Sequence, residues 1–377
     1  MKKSTTAILV AAAIMPACAN AATMDDLRIS GFGSVGVGIS SNDIGFAGYE
    51  DTVNFKQDTL IGLQFDFNIN NKAKVTTQLV ADGRYDFEPT IEVAYLSYDL
   101  DTFTVRGGKM RTQLYMYSDY LDVGYAYPMI RPSLEIYENL IISNYTGFDF
   151  LIPFTIGEST LQLQPFAGGS QVEERHSSLG NESAPTFGVK IEIDNLWGMT
   201  AHWYVADWTF RAAYSQGEIA ETGVPEMDVL VANKTSKFSS AGAQYNNGQF
   251  LLNIEAMSMT LDGPYPDNLG LSALLGYQFG SFMPYASISN VHTTDDVDRA
   301  GAGIQQSSER MTYSIGGRWD FAKNMALKID ATYSDFCDTY GGFESNFDYQ
   351  NVNGNIVPVG TLYDDTFVYS MSIDFVF

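Results

Sequence analysis

Side chains able to make or break covalent bonds are few in this chain. It holds three histidines, His176, His202 and His292, and two cysteines, Cys18 and Cys337. His176 stands beside Ser177 and Ser178, but a nucleophile needs a base and an orienting acid that converge in space, which sequence neighbours do not supply. His176 and His292 are expected in loops and His202 on the inner face of a strand. The segment Gly31-Phe32-Gly33-Ser34-Val35-Gly36 fits G-x-G-x-x-G, yet a phosphate site of that type opens a helix. Strand-like alternation runs through it here, so its glycines suit a bend or close strand contact. Asp295, Asp296 and Asp298, with Glu173 and Glu174, are oxygen ligands that could hold Ca²⁺ or Mg²⁺ loosely at a surface, although their spacing matches no calcium loop. No cofactor and no enzyme activity are expected.

The 377 residues are 45% hydrophobic, 14% aromatic and 18% charged, with a formal net charge of -24. Nucleic-acid binding depends on clustered Lys and Arg that release counterions from phosphates, so the acid excess argues against DNA and RNA. With 24 Phe, 23 Tyr and 4 Trp the chain carries too much apolar surface for a disordered acidic polymer. Lys2 and Lys3, an apolar run from Ala7 to Ile14 and the small residues Ala19-Asn20-Ala21 read as a signal peptide over 1–21, leaving 22–377 as the exported domain. Cys18 stands in a poor lipoprotein context, and Cys337 alone makes no disulfide within the exported domain.

Beyond the signal no stretch approaches the roughly 18 apolar residues of a membrane helix. What recurs is period-two alternation, the mark of a strand with one apolar and one polar face. In 325–333, Met325, Leu327, Ile329, Ala331 and Tyr333 alternate with Lys328, Asp330 and Thr332. The segments 55–69 and 367–377 alternate likewise. Carried along the chain, the pattern predicts sixteen strands at 27–40, 54–68, 73–82, 90–99, 102–109, 146–156, 160–168, 186–205, 208–216, 237–246, 249–259, 270–279, 282–291, 310–320, 325–334 and 365–377. The strand 186–205 is strained by Asn195, which interrupts an apolar odd set that includes Phe187, Val189, Ile191 and Ile193; a turn there would change the count.

Seven connections are tight and the other eight are mostly long, the asymmetry of an outer-membrane barrel with short periplasmic turns and long outer loops. A Lys or Arg facing lipid at midplane costs about 2–4 kcal/mol. Lys56, Lys74, Arg106, Lys190, Arg318 and Lys328 all take the inward parity. Phe65, Phe67, Phe154, Trp203, Trp208, Phe250, Phe279, Trp319 and Phe377 gather near the short turns, as an interfacial aromatic girdle would. The expected fold is therefore all-β, a transmembrane antiparallel β-barrel.

The last strand, TFVYSMSIDFVF, resembles the terminal strand of Gram-negative outer-membrane porins, as do the opening LRISGFGSVGVGIS and the ALKIDATYS segment. The resemblance covers the whole exported chain through short motifs. It implies a sixteen-stranded, usually trimeric diffusion channel in the outer membrane, with Tyr369, Phe375 and Phe377 in the signal read by the barrel assembly machinery. It also implies that the third loop, 109–145, folds into the lumen. This loop lacks the PEFGG-type stretch of enterobacterial members.

A constriction with low-dielectric walls focuses the field of its charges on a passing ion. Asp119, Asp122, Glu135 and Glu138 are the acidic candidates; Lys56, Lys74 and Arg106 on the wall, with Arg111 and Arg131 on the loop, are the basic ones. Acids and bases facing one another would orient dipolar solutes, and the acid excess favours cations. A substrate-selective channel, for sugars as an example, is the alternative, since Tyr115, Tyr117, Tyr120, Tyr125 and Tyr127 could guide rings; packing of the loop is the preferred role for them. An outer-membrane hydrolase is the weaker alternative. Expected partners are outer-membrane lipid and lipopolysaccharide, further copies of the chain as a homotrimer, the assembly machinery and small solutes. The long loops over 217–236 and 335–364 would face the exterior.

Overall fold

The computed structural model describes residues 26–43, 45–137, 143–172, 191–221, 232–263, 266–295, 309–337, 347–352, 355–360 and 364–377. The expected signal segment, 1–21, lies outside them. The strands are β1 (Leu27–Ser40), β2 (Leu60–Asn68), β3 (Ala73–Asp82), β4 (Pro89–Asp99), β5 (Thr104–Arg111), β6 (Asn144–Ile156), β7 (Ser159–Val172), β8 (Ile191–Val205) and β9 (Trp208–Glu221). They continue as β10 (Lys234–Asn246), β11 (Phe250–Leu261), β12 (Asn268–Tyr277), β13 (Phe282–Thr293), β14 (Glu309–Ala322), β15 (Met325–Asp335), β16 (Phe347–Val352), β17 (Asn355–Gly360) and β18 (Thr366–Val376).

All but β16 and β17 form a closed sixteen-stranded antiparallel barrel in which each strand pairs with its sequence neighbours and β18 returns to β1. β16 and β17 form a separate hairpin in the connection from β15 to β18, an element the alternation pattern did not indicate. Strand direction alternates around the barrel, so the seven tight turns fall on one rim. Their chemistry is local. Asp101, Ala206 and Asn324 adopt φ of 69°, 49° and 60°, and Gly157, Gly248 and Gly280 adopt 62°, 82° and 60°, the left-handed geometry that short hairpins demand.

Faces follow the alternation. Ile329 is 53% exposed on the lipid side while its neighbour Lys328 is fully buried inside. Trp203, Phe210, Trp208 and Tyr245 form a chain of ring contacts near the short-turn rim, and Phe250, Tyr277 and Phe279 form another. This is the expected girdle. At the closing seam Gly31 exchanges backbone hydrogen bonds with Phe377, both 2.9 Å. A Cβ on Gly31 would stand 2.2 Å from the Phe377 ring, and one on Gly33 would stand 2.6 Å from the Phe375 ring. The two terminal aromatics thus lie over bare backbone of β1.

Three expectations need correction. β2 begins at Leu60 rather than at 54, because Thr59 turns the chain: its hydroxyl donates to the Phe55 carbonyl (2.6 Å) and accepts from the Gly36 amide (2.9 Å). Lys56 therefore stands on the first loop, bonded to Asp86, and not on the wall. The strand through Asn195 stands as expected, but its faces change there, because Asn195 marks a bulge. It adopts φ 52° and the register shifts between Asp194 and Trp197, so face parity reverses above it and Ile193 points inward, buried. Phe187, Val189 and Lys190 lie outside the described residues. His292 sits in β13 rather than in a loop, its ring 3.1 Å from Asn290 Oδ1.

Candidate functional site

The third loop leaves β5 at Arg111 and returns at Asn144, its neck closed by the Thr112 amide donating to the Ser143 carbonyl at 3.0 Å. Between these points it turns into the lumen and is held there on three sides. On the β8–β11 side, Thr200 Oγ1 donates to the Gln113 carbonyl (2.8 Å), Ser240 to that of Leu114, and the Met116 amide donates to Glu255 (3.0 Å). At the tip, Lys328 donates to the carbonyls of Gly124 (2.6 Å) and Met129 (2.7 Å), and Arg318 to that of Tyr125 (2.5 Å). On the returning limb Glu135, in the single turn α1 (Leu134–Tyr137), pairs with Arg310 at 2.7 Å and accepts from Ser289 and Thr312, both 2.6 Å. Burial alone would raise the Glu135 carboxyl, but the Arg310 guanidinium and these hydroxyls hold it below its ordinary range.

Apolar packing fills the space between loop and wall. Tyr115 and Ile136 join Met110, Phe166 and Met257, while Tyr117, Tyr127 and Met129 pack on Leu251, Leu274 and Tyr285. Tyr115, Tyr117 and Tyr127 are thus the loop's own core and line no solute path; Tyr120 and Tyr125 are partly exposed. The first loop, residues 41–59, also turns inward. Its Tyr49 is fully buried and donates to Asp58 (2.6 Å), whose carboxylate bonds Arg131 of the third loop at 2.5 Å. Burial raises the Asp58 carboxyl and Arg131 more than reverses that, leaving it below the ordinary range.

The residues singled out by sequence fall into distinct groups. Asp119 and Asp122 stand at the loop tip, each answered by a wall arginine: Asp119 by Arg211 of β9 at 2.5 Å, and Asp122 by Arg111, which ends β5 and so belongs to the wall and not, as expected, to the loop. Asp119 keeps 31% and Asp122 16% of its side-chain surface exposed to the lumen. Glu135 is an anchor almost wholly withdrawn from solvent, and Arg131, 16% exposed, ties the third loop to Asp58 of the first. Arg106 pairs with Asp149 on β6 at 2.5 Å against the wall. Lys74 remains largely open, 3.3 Å from Asp66. Glu138 lies outside the described residues. Sequence reading missed Arg211, Arg310, Asp58 and the half-exposed Arg84 with its partner Asp82. The inward parity of Arg211 and Arg310 was a usable signal. Asp58 had none, because the alternation that placed it on a wall was accidental.

Around the tip, then, partly exposed carboxylates face arginines fixed on rigid strands, and among the described residues no reactive triad converges; His176 lies outside them. His202 contacts Tyr204 and Arg211, 3.1 and 3.3 Å away. Residues 5–356 match the model of the Gram-negative porin family. The chain belongs to that family. Porin membership and the closed barrel make it an outer-membrane channel protein. No curated protein sequence matches it significantly.

Solved structures share the fold of this porin. The trimer form of OmpT, an outer membrane protein of Vibrio cholerae, is 12% identical with a TM-score of 0.57, covering 94% of this chain and 100% of that one. The anion-selective porin from Comamonas acidovorans is 12% identical with a TM-score of 0.58, covering 93% and 99%. The outer membrane channel DcaP of Acinetobacter baumannii is 13% identical with a TM-score of 0.56, covering 93% and 97%. At these identities the likeness carries the barrel and nothing about selectivity.

Proposed function

We propose that this porin is a water-filled channel for passive diffusion of ions and small hydrophilic solutes, with a mild preference for cations and no catalytic activity. The observation that carries the reading is the third loop pinned inside the barrel with Asp119 and Asp122 exposed at its tip. The preference is mild because Arg211 and Arg111 neutralise much of the field of these acids, leaving the general acid excess of the chain to bias entry. A sugar-selective channel is the lesser reading, since most of the loop tyrosines that would serve it are buried in the loop's packing. Reversal potentials across a salt gradient test the assignment. The double substitution Asp119→Asn with Asp122→Asn should shift the potential toward anions by several millivolts; an unchanged potential would place both residues off the ion path.

The functional unit we propose is a homotrimer in lipid and lipopolysaccharide, inserted by the barrel assembly machinery through Tyr369, Phe375 and Phe377 after cleavage of the signal over 1–21. The trimer form of the Vibrio protein and the broad apolar outer face support assembly. Closure of one inserted particle in three equal conductance steps is the expected record; a single step contradicts the trimer. Divalent cations would be held only loosely, at the outer rim. There Asp295 accepts from the Asp267 amide at 2.6 Å, and Asp296, Asp298, Glu173 and Glu174 lie outside the described residues. Among the described residues no group of three metal-ligating side chains converges.

A further inference from the structure

His202 stands on the inner face of β8, 3% exposed, beside the arginine that answers Asp119. Its Nδ1 lies 3.1 Å from the Tyr204 hydroxyl and 3.3 Å from Arg211 Nη2. A guanidinium only donates hydrogen bonds. Nδ1 therefore accepts, which leaves the ring proton on Nε2 and the imidazole uncharged. Arg211 Nη2 also donates to Asp119 Oδ2 at 2.5 Å, so one nitrogen is held between a histidine of the wall and a carboxylate of the third loop.

The groups around the ring are few. Arg211 of β9 and Asp119 of the loop are the charges acting on it, and Asp119 bonds the guanidinium rather than the imidazole. Tyr204 shares its strand, and Gln162 of β7 pairs with it across the ladder. Tyr120 of the loop and Glu255 of β11 lie in the field of the same guanidinium. Nε2 has no hydrogen-bond partner among the described residues, so no carboxylate there answers a charged ring. A proton taken up at Nδ1 would set N–H against N–H and a second positive charge against Arg211. The guanidinium would then lose its acceptor on the wall, and the loop tip would gain a positive charge beside Asp119. Both changes weaken a field that admits cations.

We propose that uncharged His202 is a positioning residue that holds Arg211 against Asp119, and that its protonation turns the channel from cations toward anions. This role rests on the channel reading, since ion selectivity is what it changes. Reversal potentials across a salt gradient at about pH 7 and about pH 3, on either side of the ordinary imidazole range, are the test. Wild type should lose at least half of its cation-to-anion permeability ratio on acidification, part of it through the carboxylates. His202→Asn offers a carbonyl where Nδ1 stands but takes up no proton, and should lose markedly less. An equal loss in wild type and in His202→Asn shown to be folded by unheated gel mobility overturns the switch. A second measurement needs neither conductance nor a change at position 202. In the double variant His176→Gln with His292→Gln, His202 is the one histidine left of three, and NMR of the nitrogen-labelled ring reads its protons. At about pH 7 the ring should be neutral with its proton on Nε2; an imidazolium, or a proton on Nδ1, overturns the contact with Arg211. Protein that passes no ions loses the channel reading, while the ring proton still decides the contact. Protein that conducts with the wrong ring proton loses only the role of His202.

Discussion

Glu135→Ala should release the third loop. Arg310, 2.7 Å away and nearly sealed from solvent, would lose this carboxylate, and breaking a buried pair of this kind costs about 3–5 kcal/mol. The barrel wall is stitched by strand pairing that does not depend on Glu135, so the cheapest relief is local detachment of the loop rather than unfolding of the barrel. Protease should therefore cut the loop within 112–143 at least tenfold faster than in wild type, and channel conductance should rise. Glu135→Leu combined with Arg310→Met removes both charges and should restore most of the protection, since replacing a buried pair by apolar groups is often near neutral. Equal cutting of wild type and Glu135→Ala would show that the remaining anchors, among them Lys328 and Glu255, hold the loop without Glu135.

Lys328→Met should damage loop and wall together. The Lys328 ammonium is fully buried, 2.7 Å from Asp374 Oδ2 and bonded to two loop carbonyls, while that Oδ2 makes no aligned hydrogen bond of its own. Methionine fills similar volume but leaves the Asp374 charge and the Met129 carbonyl unanswered, while the Gly124 carbonyl keeps only the Tyr127 amide, 3.3 Å away. Asp374 lies on β18, which closes the barrel against β1, so the expected loss of about 3–5 kcal/mol falls on the seam. The readout is a lowered unfolding midpoint in urea. Adding Asp374→Asn to Lys328→Met should recover part of it, because the stranded charge is then gone. A midpoint unchanged by Lys328→Met would mean that water reaches Asp374 and screens it.

How much of this was legible beforehand follows from what repeats. Strands repeat: Met325 to Tyr333 reports one face every second residue, so the barrel and its seven tight turns could be read. Asn195 broke the repeat, and only three-dimensional register distinguishes a bulge from a turn there. The loops do not repeat. Nothing in period two says that Asp119 meets Arg211, ninety-two positions away, or that Glu135 meets Arg310, because those contacts join the infolded loop to wall strands with which it never pairs. For the same reason the loop acids were read as one class, whereas burial divides them: Asp119 and Asp122 reach the water, while Glu135 is an anchor. Phe55 and Lys56 show the converse error, an alternation with no strand beneath it.

A lumen narrowed by an infolded loop but still open passes small solutes by diffusion. Swelling of liposomes carrying the purified protein tests it most directly. Small sugars and amino acids should enter at rates that fall smoothly with size and do not saturate with concentration. Liposomes that stay impermeable to all of them, or that admit one solute with saturation and exclude others of equal size, would contradict it.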